Sequence, residues 1–242
     1  MHAAKDLAEL LLTARAVELR AQPPFFTFAS GLRSPIYTDN RLLISDAAAR
    51  RRVAEAFVDA IEAQALRPTV IAGTATAGIP HATLVAERLG LPLVYVRGDA
   101  KGHGKGKRVE GRLVPGARVV LIEDLISTGG SVVSAAQALR EGGAEVVAVL
   151  AIFSYGMADA TQLFRAAGLA HTALVTLDDV LREAAGRGQL DAAAIASLRA
   201  WRDDPAHWAP GAREDADTGS GPLAATEATR RAESLVVAAD LD

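Results

Sequence analysis

Two adjacent carboxylates, Glu123 and Asp124, are followed within a few residues by Ser127-Thr128-Gly129-Gly130-Ser131. The glycines let a backbone come close to an anion, and Ser127, Thr128 and Ser131 add hydroxyl donors. A helix opening behind them would aim unpaired N–H groups, and the positive end of its dipole, at a phosphate. The acidic pair repels phosphate and suits sugar hydroxyls instead, or a divalent cation held through water. Together the two halves imply a sugar phosphate, with magnesium. The Walker pattern is absent because no Lys follows these glycines, and Gly-x-Gly-x-x-Gly is absent too.

The element that must position these groups precedes them. Residues 119–122 are a short β-branched-rich apolar run without alternation, which fits a strand buried on both faces of a parallel sheet. In such sheets ligands bind beyond the carboxyl ends of the strands, where the acidic pair falls. Val132, Val133, Ala136 and Leu139 then share a helical face. The same strand, small-residue loop and helix recur at residues 70–80, where Thr74-Ala75-Thr76-Ala77-Gly78 forms a second candidate backbone cradle. Further strands are expected near 69–72, 93–96, 118–123, 145–152 and 172–176, alternating with helices. The fold class is therefore α/β, a doubly wound, mostly parallel five-stranded sheet with helices on both faces.

The remaining chain is read in the same way. Leu7, Leu10, Leu11, Ala14 and Val17 predict a helix over 2–20 that Pro23-Pro24 ends, and residues 46–64 a second one. Phe25, Phe26 and Phe28 with the turn signals Ser30-Gly31 and Ser34-Pro35 predict a hairpin. Asp159 with Gln162 is a weak capping box, Asp178 starts a short helix, and Asp191 caps a last one through Trp201. Residues 97–112 hold five glycines and six basic against two acidic side chains, a composition suited to a cationic lid over an anionic ligand.

Bulk properties exclude several classes. With 242 residues and 50% hydrophobic content the chain can bury one α/β core. No run approaches the roughly 18 apolar residues of a membrane span, and no signal pattern opens the chain. There are no cysteines, so disulfides, thiol catalysis and Cys-ligated zinc are out. A cytoplasmic setting is the default, and the net charge of −3 argues against general nucleic-acid binding. Residues 1–209 are read as one domain, with a hood including 20–45 and a core of about 46–180. Residues 210–242 read as a mobile acidic tail with a weak helix near 227–237, to which no function is assigned.

The strand, acidic pair and Thr/Gly loop of 117–135 resemble the phosphoribosyl diphosphate (PRPP) motif of type I phosphoribosyltransferases. Within residues 30–41, Ser-Gly-x-x-Ser-Pro-x-Tyr-x-Asp-x-Arg resembles the hood signature of the orotate phosphoribosyltransferase family, and Arg97…Lys101-x-His103-Gly resembles its catalytic loop. The resemblance covers roughly residues 5–205. It implies PRPP and orotate as substrates, Mg²⁺ as cofactor and a homodimer in which each lid serves the partner's site.

Residue by residue, it implies that Glu123 and Asp124 hold the ribose hydroxyls and that Leu125, Ile126 and Ser127–Ser131 bind PRPP through its 5′-phosphate. Thr74, Ala75, Thr76, Ala77 and Gly78 would form the pyrophosphate loop. Arg97, Lys101 and His103 would close over it, with Lys101, His103 and Asp124 catalytic and Ser127 touching orotate. The metal would be held by PRPP and water, without direct protein ligation. Three lysines common in the family are replaced by Ala29, Ala77 and Gly98, a subgroup variation that leaves Arg97 and Lys101 as the main cations. The Arg that some members place near Ser154-Tyr155-Gly156 for the orotate carboxylate is missing. Two rivals are a phosphoribosyltransferase for uracil or a purine, which the hood signature argues against, and a PRPP-fold regulator that binds nucleic acid. The intact loop and acidic appendage argue against the second.

Overall fold

The computed structural model describes residues 2–28, 31–98 and 108–209. Ala29, Lys101, His103 and the 210–242 tail lie outside the described residues. In chain order the elements are α1 (His2–Thr13), β1 (Val17–Leu19), β2 (Phe26–Thr27), β3 (Arg33–Ser34), β4 (Ile36–Thr38), α2 (Leu42–Ser45), α3 (Ala47–Ala63), β5 (Val70–Thr74), α4 (Gly78–Leu89), β6 (Leu93–Val96), β7 (Val109–Glu110), β8 (Arg118–Ile126), α5 (Gly130–Glu141), β9 (Glu145–Ser154), α6 (Ala158–Ala166), β10 (His171–Thr176), α7 (Leu177–Gly186) and α8 (Ala192–Asp203).

They fall into two compact units. The larger holds residues up to Glu18 and Thr38–Gln189, so residues 38–45 lie with it. Its sheet has the order β10-β9-β8-β5-β6-β7. The first five strands are parallel, and β7 pairs antiparallel with β6 through Tyr95↔Glu110 and Val96↔Val109. The expected five strands thus gain a sixth. The β-branched Val109 lets a short edge strand form at the end of a glycine-rich stretch that composition alone reads as irregular.

The sheet is buried on both faces, which explains the unalternating apolar runs. Val70, Ala72, Val94, Val119 and Leu121 form one core with Val132, Ala135, Ala136 and Leu139 of α5 and with Ala160 and Phe164 of α6. Ile71, Val120 and Ile122, pointing the other way by strand alternation, are equally buried. On the helices of that second face, α4 packs on β5 and β8, and α1 packs on α7.

Several boundaries differ from the sequence reading. α1 stops at Thr13 because Arg15 takes a left-handed φ of 57°, after which the chain turns extended into β1. Val17, which fits the helical spacing, is buried instead as the first residue of β1. α3 starts one residue later than expected, with Asp46 accepting from the N–H groups of Ala48 and Ala49 at 2.7 and 3.0 Å. Asp159 does not cap α6; Met157 holds that position, and Asp159 sits in the first turn, where its charge still favours the helix dipole. α7 is capped by Thr176, which forms a capping box with Asp179, and not by Asp178. Asp191 caps α8 as its spacing predicts.

The smaller unit comprises residues 19–37 and 190–209 of the described chain. β2 and β3 make the expected hairpin, pairing Phe26↔Ser34 and Thr27↔Arg33. Trp201 is buried, and its indole N–H donates to the Arg33 carbonyl at 3.1 Å. Phe25 meets Trp208 edge-on at 4.9 Å, and the Arg20 guanidinium lies 3.9 Å from the Phe26 ring centre.

Candidate active site

β5 is the topological switch point. From it the chain crosses through α4 to β6 on one side, and later strands build outward from β8 on the other. The crevice beyond the carboxyl ends of β5 and β8 is where an open α/β sheet binds its ligand. Register brings the two candidate cradles together there: Val70 pairs with Val119 and Gly73 with Ile122, so Thr74 lies beside Glu123.

β8 runs to Ile126, beyond the expected 123, because Leu125 and Ile126 keep pairing with Phe153 and Ser154 of β9. The acidic pair therefore sits inside the strand and is held by its hydrogen bonds. Glu123 is 6% exposed and Asp124 half-buried. The Asp124 N–H donates to the Glu123 Oε1 at 2.9 Å. Burial, and next the neighbouring Asp124 charge, push the Glu123 carboxyl well above the ordinary carboxylate range. Glu123 is thus the member of the pair whose charged form its surroundings disfavour.

Behind the strand, Ser127 and Thr128 are half-buried, and Gly129 takes φ 82° before α5 opens at Gly130. A side chain at Gly129 would be strained by that φ, and its Cβ would lie 2.8 Å from Cε2 of Phe164. No side chain caps α5, so the N–H groups of its first turn have no intrahelical partner. Gly130 and Ser131 are exposed at that turn. Such a helix start, open at its first turn, has the geometry that suits an anion.

The loop after β5 is the second cradle. Ala75 and Thr76 are exposed, and the peptide bond between them is cis. The Thr74 hydroxyl donates to the Ile122 carbonyl at 3.3 Å, tying this loop to β8. A Cβ on Gly78 would come 2.6 Å from that carbonyl, so only glycine lets α4 start this close to β8. The Ala75 N–H donates to the Val96 carbonyl at 2.8 Å, which sets Arg97, at the end of β6, next to this loop. The exposed Arg97 guanidinium pairs with Glu110 at 3.3 Å. The base of the cationic segment is closed by the Arg97 N–H donating to the Arg108 carbonyl at 2.9 Å.

Thr74–Gly78, Arg97 and Glu123–Ser131 are therefore brought to one end of one sheet. Three residues there escaped the sequence reading. Asn40 is 1% exposed and donates from Nδ2 to the Asp124 carbonyl at 2.7 Å; it occupies an unspecified position between Asp39 and Arg41 of the hood signature. Phe164 lies against Gly129. His81, on α4, is 1% exposed, and a lone His in an apolar helical pattern reads as ordinary core. Among the described residues no group of three or more His, Cys, Asp or Glu side chains gathers to hold a metal, and no helix is long and apolar enough to cross a membrane.

Two backbone cradles flanking a carboxylate pair at the switch point define the class, a phosphoribosyltransferase of the type I fold. A family model described as the phosphoribosyl transferase domain matches residues 43–162. The orotate phosphoribosyltransferase of Lactiplantibacillus plantarum is 50% identical over 205 residues, 85% of this chain and 96% of that protein. That of Bacillus caldolyticus is 48% identical over 203 residues, 84% of this chain and 98% of its own. The solved structure of orotate phosphoribosyltransferase from Aeropyrum pernix superposes with a TM-score of 0.66 at 33% identity, covering 74% of this chain and 98% of that one. A Mycobacterium tuberculosis orotate phosphoribosyltransferase solved in complex with PRPP gives a TM-score of 0.59 at 26% identity over 74% of this chain and 98% of its own. The chain belongs to the orotate phosphoribosyltransferase family.

Proposed function

We propose that this chain carries out its family's reaction in pyrimidine biosynthesis, transferring the phosphoribosyl group of PRPP to orotate to give orotidine 5′-monophosphate and pyrophosphate. The observation that carries this reading is the register of β5 on β8, which sets the Thr74–Gly78 loop and the open start of α5 beside one carboxylate pair. The M. tuberculosis relative's complex with PRPP supports the same ligand.

The 5′-phosphate is held by the first turn of α5, with the hydroxyls of Ser127, Thr128 and Ser131 and the backbone from Leu125 to Gly130. The ribose hydroxyls lie against Glu123 and Asp124. The diphosphate lies on Thr74–Gly78, with Arg97, Lys101 and His103 closing over it. No covalent nucleophile is required. Orotate N1 bonds to C1 as its proton passes to water, and pyrophosphate departs with the electron pair of the broken C1–O bond. The ribosyl centre gains positive character on the way, so catalysis is positioning plus charge stabilisation. Asp124 favours the cationic sugar, Lys101 the departing diphosphate, His103 serves as proton donor to it, and Ser127 contacts orotate. The donor set fits Mg²⁺ carried by the diphosphate and water: Asp124 offers one half-buried carboxylate, while Glu123 is buried in surroundings that disfavour its charge and accepts a backbone N–H. When bound, Mg²⁺ supplies neutralising charge to the diphosphate oxygens. The active form is a cytoplasmic homodimer, and its ligands are the two small molecules.

Loss of orotate absorbance is the test. Loss that requires PRPP and Mg²⁺ together is expected, and Asp124→Asn should slow it by about a hundredfold, the effect of removing one group aimed at developing charge. No loss with PRPP still bound would overturn the reading.

A further inference from the structure

His81 is the one side chain among the described residues with two buried ring nitrogens and no hydrogen-bond partner for either. A buried, unpaired polar group of this kind destabilises the state that leaves it so, and a state that pairs it is favoured. Its position names the partner. Gly78, His81, Ala82, Val85 and Ala86 form the buried face of α4. That face is pressed onto the ends of β5 and β8: a Cβ on Gly73 would meet the Ala82 Cβ at 2.9 Å, and one on Gly78 would meet the Ile122 carbonyl at 2.6 Å. His81 is one turn along from Gly78. Strand alternation puts Asp124 on the same side of β8 as Ile122. Asp124 is also the charged group whose field bears on the His81 ring, raising the proton affinity that burial lowers more strongly.

The backbone of Asp124 is fixed from two directions. Its N–H donates to Glu123, and its carbonyl accepts from Asn40. What remains to be oriented is the carboxylate itself. The Asp124 carboxylate also bears on the neighbouring Glu123 carboxyl, an interaction that sugar hydroxyls bound at the two acids would replace.

We propose that His81 is a positioning residue of this site: once ligand separates the acidic pair, one imidazole N–H donates to the Asp124 carboxylate and fixes its direction. A neutral imidazole has one N–H to give, so a single new bond is required. This rests on the proposed reaction for its kinetic test, and on PRPP binding alone for its spectroscopic one.

The experiment compares His81→Leu, His81→Asn and His81→Gln in the full chain. Asn presents its amide donor near the Nδ1 position and Gln near the Nε2 position. Expected are a roughly tenfold fall in kcat for His81→Leu with KM for orotate unchanged, the size of a hydrogen bond to a charged group, and recovery of most of it in one of the two amide variants. Equal activity in all three variants, or no loss in any, overturns the proposal. In parallel, the His81 ring ¹⁵N signals of wild-type protein, identified by their loss in a variant, are followed as PRPP is added. A shift of one nitrogen towards a hydrogen-bonded donor is expected. A ring that PRPP leaves unchanged, as one already paired to a resident water would be, overturns the proposal. Should His81→Leu fail to fold, the Asn against Gln comparison and the ring signals decide. Wild-type protein inactive on orotate would sink the proposed reaction while leaving the PRPP-dependent ring signals readable.

Discussion

Glu123 and Asp124 are neighbours in sequence with different surroundings. Burial raises the proton affinity of Glu123, and the adjacent Asp124 charge adds to it. An unfolded Glu titrates at about pH 4.3. The folded protein therefore binds a proton that the unfolded chain gives up between that pH and the raised folded value. The stability this group contributes is complete below the unfolded pKa and is lost as pH rises through the folded one. Glu123→Gln should flatten this: the drop in unfolding free energy between about pH 5 and about pH 8 in urea melts is expected to be smaller than in wild type. Asn40 works on the same pair from outside the strand. Asn40→Ala should leave the buried Asp124 carbonyl without that donor, lowering stability by about 1–3 kcal/mol. It should also lower kcat more than it raises KM for PRPP, measured by urea melts and steady-state kinetics.

At the scale of elements, the site is made by two strand-loop-helix units that need glycine for different reasons. Gly129 needs a positive φ and has Phe164 at its back. Gly78 needs no unusual dihedral but has a carbonyl where its side chain would be. Gly129→Ala is expected to destabilise the protein by about 1–3 kcal/mol, since backbone strain and a ring clash coincide, and to raise KM for PRPP as the first turn of α5 shifts. Gly129→Ala paired with Phe164→Leu separates the two causes in thermal melts. Recovery of part of the loss assigns that part to the ring, and the remainder belongs to φ. The acidic pair lies within β8 and not past its end, so ladder bonds to β9 hold it more firmly than a loop would.

For the whole molecule, the proposed sharing of lids between protomers makes a quantitative prediction. Lys101→Ala and Asp124→Ala chains are each expected to be nearly inactive. After mixing and subunit exchange, about half the dimers are mixed, and in each of these one site carries neither defect, so about a quarter of wild-type activity should return. Orotate turnover before and after exchange reads this directly, and no recovery would show that each chain serves its own site.

Much of this was legible because it depends on local chemistry. The unalternating apolar runs announced strands buried on both faces, and Glu123-Asp124 with Ser127–Ser131 marked the strand end and helix start at which the candidate site lies. Residue types at short spacing suffice for that, since a cradle is built from consecutive backbone groups. The hairpin around Phe26 and the Asp191 cap were equally local. β7 was not legible, because a two-residue strand exists only through its pairing with β6. The end of α1 was hidden because Val17 continues the helical spacing of Leu7, Leu10, Leu11 and Ala14 and yet is buried as the first residue of β1.

What only the tertiary structure decided is which separate residues meet. Asn40 and Asp124 are 84 positions apart, joined by one hydrogen bond. His81 reads as core in any helical wheel, and it becomes a candidate for the site only because α4 begins at a glycine pressed on β8. The chain's own order determined what chemistry each loop offers. The parallel register of β5 on β8 decided that the loops lie side by side, because a register is set by packing over the whole sheet and not by the residues within either loop.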